Sequence, residues 1–320
     1  MTTLKLALLG TGRIADVRLA PAMIHAEGLR LWSVLSRDQE RARQFAARHG
    51  ASSPNPAYTQ LDDLLDDPEL DGVVIATPDG VHAEQAMASV RAGKHVFVEK
   101  PMVTEFDDGA ALVAAADSVG VTLGVAYHLR WHEGHRVVAR LLNDGAFGEL
   151  RHIRAQWTWP AQDASNWRAR RSVGRWWSLG GVGTHCLDTI RWLAVPTCGE
   201  VVEIQGLTNR SVWNGPHDET ALVAMEFESG ATAEFCCSVQ FASVSRLEVY
   251  GSAGCAIAED TLTIDGAGHI RTNEGAVEFE VKDPYQGELV DFARAVLERR
   301  PPAVDGREGL RNVELLTRIA

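Results

Sequence analysis

The spacing of hydrophobic and polar positions changes near residue 125. Before it, short apolar runs alternate with segments whose apolar positions recur at helical spacing. Continuous apolar runs are typical of strands buried on both faces, and strands that alternate with helices predict a parallel sheet. The predicted strands lie at residues 1–9, 28–35, 71–78, 94–101 and 121–126, and the predicted helices at 16–24, 39–49, 61–65, 81–92 and 105–119.

Beyond residue 126 the strands are longer and their polar positions alternate with apolar ones, which is typical of an antiparallel sheet with one solvent-facing side. The clearest hairpin turn is Ser229-Gly230, and helices predicted at 183–193 and 288–299 would cover the other face. We therefore predict an α/β protein. It has a doubly wound parallel sheet in residues 1–125, followed by an α/β domain with a large, mainly antiparallel open sheet in residues 126–320.

A glycine turn follows the first strand, with the spacing G-x-G-x-x-A. It reads Gly10, Thr11, Gly12, Arg13, Ile14, Ala15. In such a turn the first glycine permits the tight bend, the second lets the backbone approach a pyrophosphate, and the small third residue lets helix and strand pack closely. The helix that follows offers free N–H groups to the phosphates. The turn therefore predicts a dinucleotide site.

The end of the second strand bears on which dinucleotide is bound. An acidic residue there would favour NAD through the ribose 2′-hydroxyl, but this chain has Ser36 and Arg37, with Arg41 one helical turn further. A hydroxyl with guanidinium groups suits a 2′-phosphate, so we predict a preference for NADP, with NAD as the alternative. Asp38 is the competing acidic candidate, and it could equally cap the next helix.

Composition narrows the range of partners. The chain has 320 residues and a net charge of −12, which gives no electrostatic basis for binding nucleic acid or anionic membranes. No signal peptide and no run of about 18 apolar residues is apparent. The five cysteines show no C-x-x-C spacing, so we expect reduced thiols in a cytoplasmic protein.

Together these motifs resemble the glucose–fructose oxidoreductase / inositol dehydrogenase / MocA (Gfo/Idh/MocA) family of NAD(P)-dependent oxidoreductases over essentially the whole chain. Besides the glycine turn, the resemblance rests on the following segments: Ala76-Thr77-Pro78 with His82, Ala92 to Val96 leading to Glu99-Lys100-Pro101, Trp167-Arg168, Gly183-Thr184-His185 with Asp188, and Tyr285. It implies an N-terminal Rossmann domain, a C-terminal sheet that makes a dimer or tetramer interface, and hydride transfer at a carbohydrate-like carbinol or carbonyl carbon.

The resemblance makes Lys100 and His185 the catalytic candidates. Hydride transfer from an alcohol needs a group that takes the hydroxyl proton. Lys100 follows a parallel strand at the edge where ligands bind, and His185 can act as acid or base near neutral pH. Asp188 lies one helical turn after His185 and would either orient it or serve the structure. The family pattern has an aspartate four residues before the histidine, whereas this chain has Gly181.

Other residues are carried over from the family positions. Those expected at the cofactor, besides the glycine turn and the residues after the second strand, are Thr77, Pro78, His82, Glu99, Lys100, Trp167, Arg168 and Tyr285. Those expected at the substrate are Tyr127, Arg130, Trp159 and Asp188. His128, His132 and His135 have the spacing of one helix face, but they lack the H-E-x-x-H pattern, and we predict no metal site.

The sequence thus predicts an NADP-preferring oxidoreductase that acts on a sugar, a polyol or a related carbonyl compound. We expect a homodimer or homotetramer. Two alternatives remain open at this point. One is a regulator that binds NAD(P) without turnover, which Gly181 favours and the presence of Lys100 and His185 opposes. The other is a glycosidase that uses bound NAD as an internal redox relay.

Overall fold

The computed structural model describes residues 3–170 and 174–319. Contacts divide the chain into two compact units. The N-terminal unit contains Met1–Tyr127 and Tyr285–Val313, and the C-terminal unit contains His128–Pro284 and Glu314–Ala320. Within the described ranges, no helix is both long and apolar enough to cross a membrane.

The N-terminal unit is built on a six-stranded parallel sheet. Its strands are β1 (Leu4–Leu9), β2 (Leu29–Leu35), β3 (Ala57–Tyr58), β4 (Gly72–Ile75), β5 (His95–Glu99) and β6 (Leu123–Ala126). They lie in the order β3-β2-β1-β4-β5-β6, which is the order typical of dinucleotide-binding domains. The predicted doubly wound parallel sheet is confirmed.

Helices connect these strands. They are α1 (Ala20–His25), α2 (Gln39–His49), α3 (Leu61–Leu65), α4 (His82–Arg91) and α5 (Phe106–Val119). The local sequence accounts for α2, because Asp38 caps its first turn and Gly50 ends it in the left-handed conformation. Its buried residues recur at helical spacing, so that one face packs against the sheet.

The helix after the glycine turn differs from a regular α-helix. Residues Ala15–Leu19 form a π-helical segment before α1. Pro21, which follows it, has no N–H and would crowd the carbonyl one turn earlier in a regular helix. The widened turn ends two residues before this proline, in the helix that follows the dinucleotide motif.

The C-terminal unit contains an eight-stranded sheet and two helices that precede or cover it, α6 (Glu133–Asn143) and α7 (Thr184–Cys198). Its strands are β7 (Leu150–Thr158), β8 (Val201–Asn209), β9 (Thr220–Phe227), β10 (Thr232–Ser238), β11 (Arg246–Gly251), β12 (Cys255–Glu259), β13 (His269–Thr272) and β14 (Gly275–Ala276). The order is β14-β13-β12-β11-β7-β10-β9-β8. Among the described strand pairs of this eight-stranded sheet only β7–β10 is parallel, so the prediction of a mainly antiparallel sheet is confirmed.

Buried and exposed side chains alternate along β10, so the two faces of the sheet differ in their exposure to solvent. Cys237 is fully buried, whereas its neighbour Cys236 is partly exposed, because successive side chains of a strand point to opposite sides. The buried face joins α7 in the core of the unit, where Leu187, Ile190 and Phe235 are covered. The other face carries exposed apolar and charged positions, including Leu207 and Leu222.

The chain returns to the N-terminal unit through α8 (Pro284–Glu298) and the first part of α9 (Gly306–Ile319), whose residues from Glu314 onward belong to the C-terminal unit. Phe292 packs on Phe97 of β5 with ring centroids 5.1 Å apart, and Val125 N–H donates to the Val304 carbonyl at 3.0 Å. The sequence-based boundary at residue 125 assigns these helices to the second domain, whereas residues 285–313 make their contacts in the first unit. Hydrophobic spacing shows that a helix has a buried face and not which sheet covers it.

Candidate active site

The glycine turn follows β1 and lies against the residues that follow β4. Gly10 has a φ of +102°, and a Cβ at this position would lie 2.6 Å from the Ala76 carbonyl oxygen, so only glycine fits. A Cβ on Gly12 would meet no atom within 4 Å, so this part of the turn faces open space. The helix that starts at Arg13 presents its first N–H groups beside that space. The turn therefore fits a dinucleotide pyrophosphate.

The residues after β2 lie beside this turn. The Ser36 hydroxyl is 3.2 Å from the Thr11 hydroxyl, and the two can form a hydrogen bond. Arg37 and Arg41 are exposed, and neither guanidinium has a side-chain partner within the described residues. Asp38 accepts a hydrogen bond from the Arg41 N–H at 2.7 Å, so its carboxylate caps α2. The capping role left open by the sequence is the one the structure shows.

The strand ends of β4 and β5 carry the next group of predicted cofactor residues. Thr77 donates from its hydroxyl to Gln85 at 2.6 Å, and Pro78 follows it in a half-buried loop. Glu99 and Lys100 are buried, with 9% and 8% of their surface exposed. The Lys100 N–H donates to the Glu99 carboxylate at 3.2 Å. His82 is fully buried, and both of its ring nitrogens face backbone carbonyls.

In the C-terminal unit, His185 lies in the first turn of α7. A π-helical segment, Leu179–Gly183, precedes it, and Gly181 lies one turn before the histidine. A Cβ at Gly181 would meet nothing within 4 Å. The imidazole of His185 packs against two rings. One is His128, edge-on at 4.7 Å between centroids, and the other is Trp157 at 5.3 Å.

Asp188 forms a two-pronged ion pair with Arg130. The Arg130 Nε and Nη2 donate to its two carboxylate oxygens at 2.9 and 2.6 Å, and both side chains are buried. Bidentate pairs of this kind fix the geometry of both groups. Asp188 therefore has Arg130 as a rigid partner and lies one helical turn after His185. The ion pair joins two residues that were predicted to bind substrate.

The remaining predicted residues are distributed over both units. Tyr127 and Tyr285 are buried in the N-terminal unit. In the C-terminal unit Trp159 packs on the hydrophobic core, and the Arg168 guanidinium lies 4.1 Å from the ring centre of its neighbour Trp167.

The three closely spaced histidines do not share one helix face. His128 lies in a 3₁₀-helix that ends at Trp131, the backbone at His132 is extended, and only His135 lies within α6. The break at His132 separates the rings. His128 faces the Thr263 carbonyl at 3.0 Å, whereas His132 stacks on His135 at 4.3 Å. No cluster of metal-ligand type is found among the described residues.

Sequence reasoning missed the residue that holds the start of the His185 helix. Asp218 accepts hydrogen bonds from the Trp177 N–H, the Leu179 N–H and the Ser178 hydroxyl. Burial raises the pKa of the Asp218 carboxyl, and these hydrogen bonds oppose the rise. The cap comes from 40 residues away along the chain, so no local pattern announces it. The ring contacts of His128 and Trp157 with His185 were missed for the same reason.

Comparison with known proteins identifies the family of this chain. Residues 4–127 match the model of the GFO/IDH/MocA oxidoreductase family with an NAD-binding Rossmann fold, and residues 135–257 match the model of the family's C-terminal domain. A 1,5-anhydro-D-fructose reductase from Ensifer adhaerens is 29% identical over 316 residues, which cover 95% of this chain and 91% of that protein.

Solved structures resemble the chain over nearly its whole length. An aldose–aldose oxidoreductase from Caulobacter crescentus, complexed with glycerol, has a TM-score of 0.90 and 25% identity, with 98% of this chain and 96% of that chain covered. A 3-ketoreductase from Actinomadura kijaniata, in complex with TDP-benzene and NADP, has a TM-score of 0.82 and 25% identity, with 99% and 97% covered. The chain therefore belongs to the GFO/IDH/MocA family of NAD(P)-dependent oxidoreductases.

Proposed function

We propose that the protein transfers a hydride between NADP and the carbinol or carbonyl carbon of a sugar, a polyol or a related compound, with Lys100 and His185 handling the proton. The observation that carries the proposal is the position of Lys100. It is a buried lysine directly after β5, at the carboxyl edge of a parallel sheet whose first turn is built for a dinucleotide. Lysine side chains are rarely buried, so a buried lysine at this edge of the sheet suits a role in the reaction.

The proton and the hydride leave different atoms of the substrate. In the oxidation direction the carbinol carbon loses a hydride, its hydroxyl loses a proton, and the neutral Nζ of Lys100 accepts that proton. When bound, the nicotinamide supplies the hydride acceptor, or the donor in the reverse direction. In the reduction direction the lysine returns the proton to the developing alkoxide.

His185 is proposed to hold or protonate the reacting oxygen. The rings of His128 and Trp157 fix its plane, and the rigid Arg130–Asp188 pair lies on the next turn. Aromatic faces beside polar donors suit a sugar, which presents an apolar ring face and a rim of hydroxyls. The carbohydrate class is also supported by the relatives that act on anhydrofructose and aldoses.

The role of Lys100 is tested by the Lys100→Met variant, which keeps the length of the side chain and removes the amine. We expect turnover of any accepted sugar to fall by at least about 10³-fold, with the Kd for NADPH changed by less than about tenfold. Lys282→Met, which removes an exposed lysine, is the control. Turnover that survives in Lys100→Met would exclude this role.

The preference for NADP is tested at Arg37. Ser36, Arg37 and Arg41 offer a hydroxyl and two free guanidinium groups beside the glycine turn, and a related 3-ketoreductase binds NADP. Arg37→Ala is expected to weaken NADPH binding by about 1–3 kcal/mol and to leave NADH binding unchanged. Arg43→Ala, which alters another exposed arginine of α2, is the control. Equal losses for both coenzymes would show that Arg37 does not read the 2′-phosphate.

The first experiment is coenzyme binding by quenching of tryptophan fluorescence, followed on the same sample by a panel of sugars and polyols at the absorbance of the reduced nicotinamide. Binding with turnover supports the oxidoreductase. Tight binding without turnover across the panel would favour the regulator, which Gly181 in place of the family aspartate supports. Coenzyme that stays bound through purification would favour the internal redox relay.

We also propose that the protein forms a homodimer or homotetramer through the exposed face of the eight-stranded sheet and works in the cytoplasm. The sheet face carries exposed Leu207 and Leu222 beside ion pairs such as Arg154–Glu234 at 3.0 Å. All five cysteines lie within the described residues as free thiols, which suits a reducing compartment. Light scattering coupled to size exclusion tests the assembly, and a monomeric mass would reject it.

A further inference from the structure

His82 joins two strand ends at the predicted cofactor edge of the N-terminal unit. It is the first residue of α4 and is fully buried. Its Nδ1 lies 2.9 Å from the Pro101 carbonyl oxygen, and its Nε2 lies 2.9 Å from the Thr77 carbonyl oxygen. Thr77 follows β4 and Pro101 follows β5 and Lys100, so one ring spans two neighbouring loops.

The number of N–H groups on the imidazole of His82 decides how many of these hydrogen bonds it can make. A carbonyl oxygen only accepts hydrogen bonds, so each ring nitrogen of His82 must donate to make both contacts. A neutral imidazole carries one N–H, and its other nitrogen would then direct a lone pair at an oxygen 2.9 Å away. Only the imidazolium, with two N–H groups, satisfies both carbonyls.

We propose that His82 is a positioning residue whose imidazolium clamps the carbonyls of Thr77 and Pro101 and so fixes the segment that carries Lys100. The clamp acts on one side of Lys100, while the Glu99 carboxylate holds the Lys100 N–H on the other. The inference rests on the proposed function, in which Lys100 handles the proton. Because His82 is fully buried, it acts on the cofactor edge of the sheet only by holding the two loops in place.

Two substitutions test the clamp by kinetics. His82→Phe keeps a ring and removes both donors, and we expect kcat to fall about 10–100-fold, because displacing a proton-transfer group by about 1 Å has effects of this size. The KM for the sugar and the Kd for NADPH are expected to change less than about threefold. His82→Gln, whose amide nitrogen carries two N–H groups, is expected to recover part of kcat. His269→Phe, at an exposed histidine of β13, is the control.

The protonation of the ring is measured without activity. In a ¹H–¹⁵N correlation spectrum of the imidazole region, recorded at pH 7 with and without NADPH, we expect two slowly exchanging N–H signals that are absent from His82→Phe. A single N–H signal for His82 would overturn the clamp. This readout uses the wild-type protein, so it decides the question even where His82→Phe fails to fold.

The outcomes separate this inference from the proposed function. A wild-type protein that turns over no member of the sugar panel would remove the proposed function, while the two N–H signals would still establish the doubly donating ring. A wild-type protein that is active, with a His82→Phe variant of unchanged kcat, would overturn the positioning role and leave the proposed function intact.

Discussion

Gly181 and Gly183 lie two residues apart in the π-helical segment before His185, and the structure gives them opposite tolerance. A Cβ at Gly181 would enter open space, whereas a Cβ at Gly183 would lie 2.7 Å from the sulfur of buried Cys237. The missing aspartate of the family pattern is thus a change that the local packing does not require. Gly183, in contrast, is fixed by close approach to β10.

We expect Gly181→Asp to fold with a Tm close to that of the wild-type protein and to place a carboxylate one helical turn before His185. Gly183→Ala is expected to lose about 1–3 kcal/mol, because the added methyl group overpacks the core beside Cys237. Urea unfolding of both variants checks the contrast, with Gly181→Ala as the matched control. Equal destabilisation at both positions would contradict the packing described for this segment.

At the same scale, single residues show what the sequence reveals and what it hides. The adjacent cysteines 236 and 237 predict opposite faces of a strand, because the period of a strand is two, and the structure agrees. The sequence predicted that Asp38 lies near the start of α2, but it did not distinguish between capping and ribose binding. The hydrogen bond from the Arg41 N–H shows the capping role. The cap from Asp218 depends on a contact between distant segments, which no local spacing contains.

At the scale of elements, the ends of helices and strands could be predicted from local sequence signals, whereas the pairing of strands could not. The helix predicted at 39–49 has the same bounds in the structure, since the Asp38 cap and the left-handed Gly50 mark its ends. The parallel pairing of β7 with β10 was not predictable, because more than 70 residues separate the two strands. The π-helical segments were missed too, since their spacing differs from an α-helix by only one residue.

The start of α6 makes the stability of the C-terminal unit sensitive to acid. Burial lowers the pKa of His132, and burial followed by the charge of His132 holds the pKa of His135 well below 6.5. Nδ1 of His132 also accepts the His135 N–H at the cap of α6, which needs an unprotonated nitrogen. In the unfolded chain both rings take up protons near pH 6.5, whereas in the folded chain they do so only at lower pH.

Stability is therefore expected to be constant above about pH 7 and to fall as the pH drops below about 6.5, by up to about 1.4 kcal/mol per pH unit for each histidine. Urea unfolding at pH 7.5, 6.5 and 5.5 measures the loss. His135→Leu is expected to reduce the loss, and His269→Leu, at an exposed histidine, is expected to leave it unchanged. If His135→Leu lost as much unfolding free energy between pH 7.5 and 5.5 as the wild-type protein, groups other than His135 would cause the loss.

At the scale of the whole molecule, the N-terminal unit is made of two separate stretches of chain. Phe292 packs on Phe97, and Gln286 donates to the His25 carbonyl at 2.7 Å, so α8 covers a part of the unit that residues 1–127 leave open. The hydrophobic pattern predicted the parallel sheet and the presence of this helix. It could not predict the return, because sequence spacing carries no information on which distant surface is covered.

Residues 1–127 alone are expected to lack a cooperative unfolding transition, because the core beside Phe97 is left exposed. A chain that joins residues 1–127 to residues 285–313 through a short flexible linker is expected to unfold cooperatively. Circular dichroism against urea compares the two, and Phe292→Ala in the joined chain is expected to lose about 3–5 kcal/mol. Cooperative unfolding of residues 1–127 alone would show that α8 is dispensable.

The returning segment also bears on the order of events at the ribosome. A polypeptide emerges from its N-terminus at roughly 5–20 residues per second, and domains usually fold as they appear. Here the N-terminal unit lacks α8 until residues 128–284 have been made, a delay of roughly 10–30 seconds. During that interval the nascent chain exposes the apolar surface around Phe97, so it is expected to engage general chaperones until synthesis reaches the end.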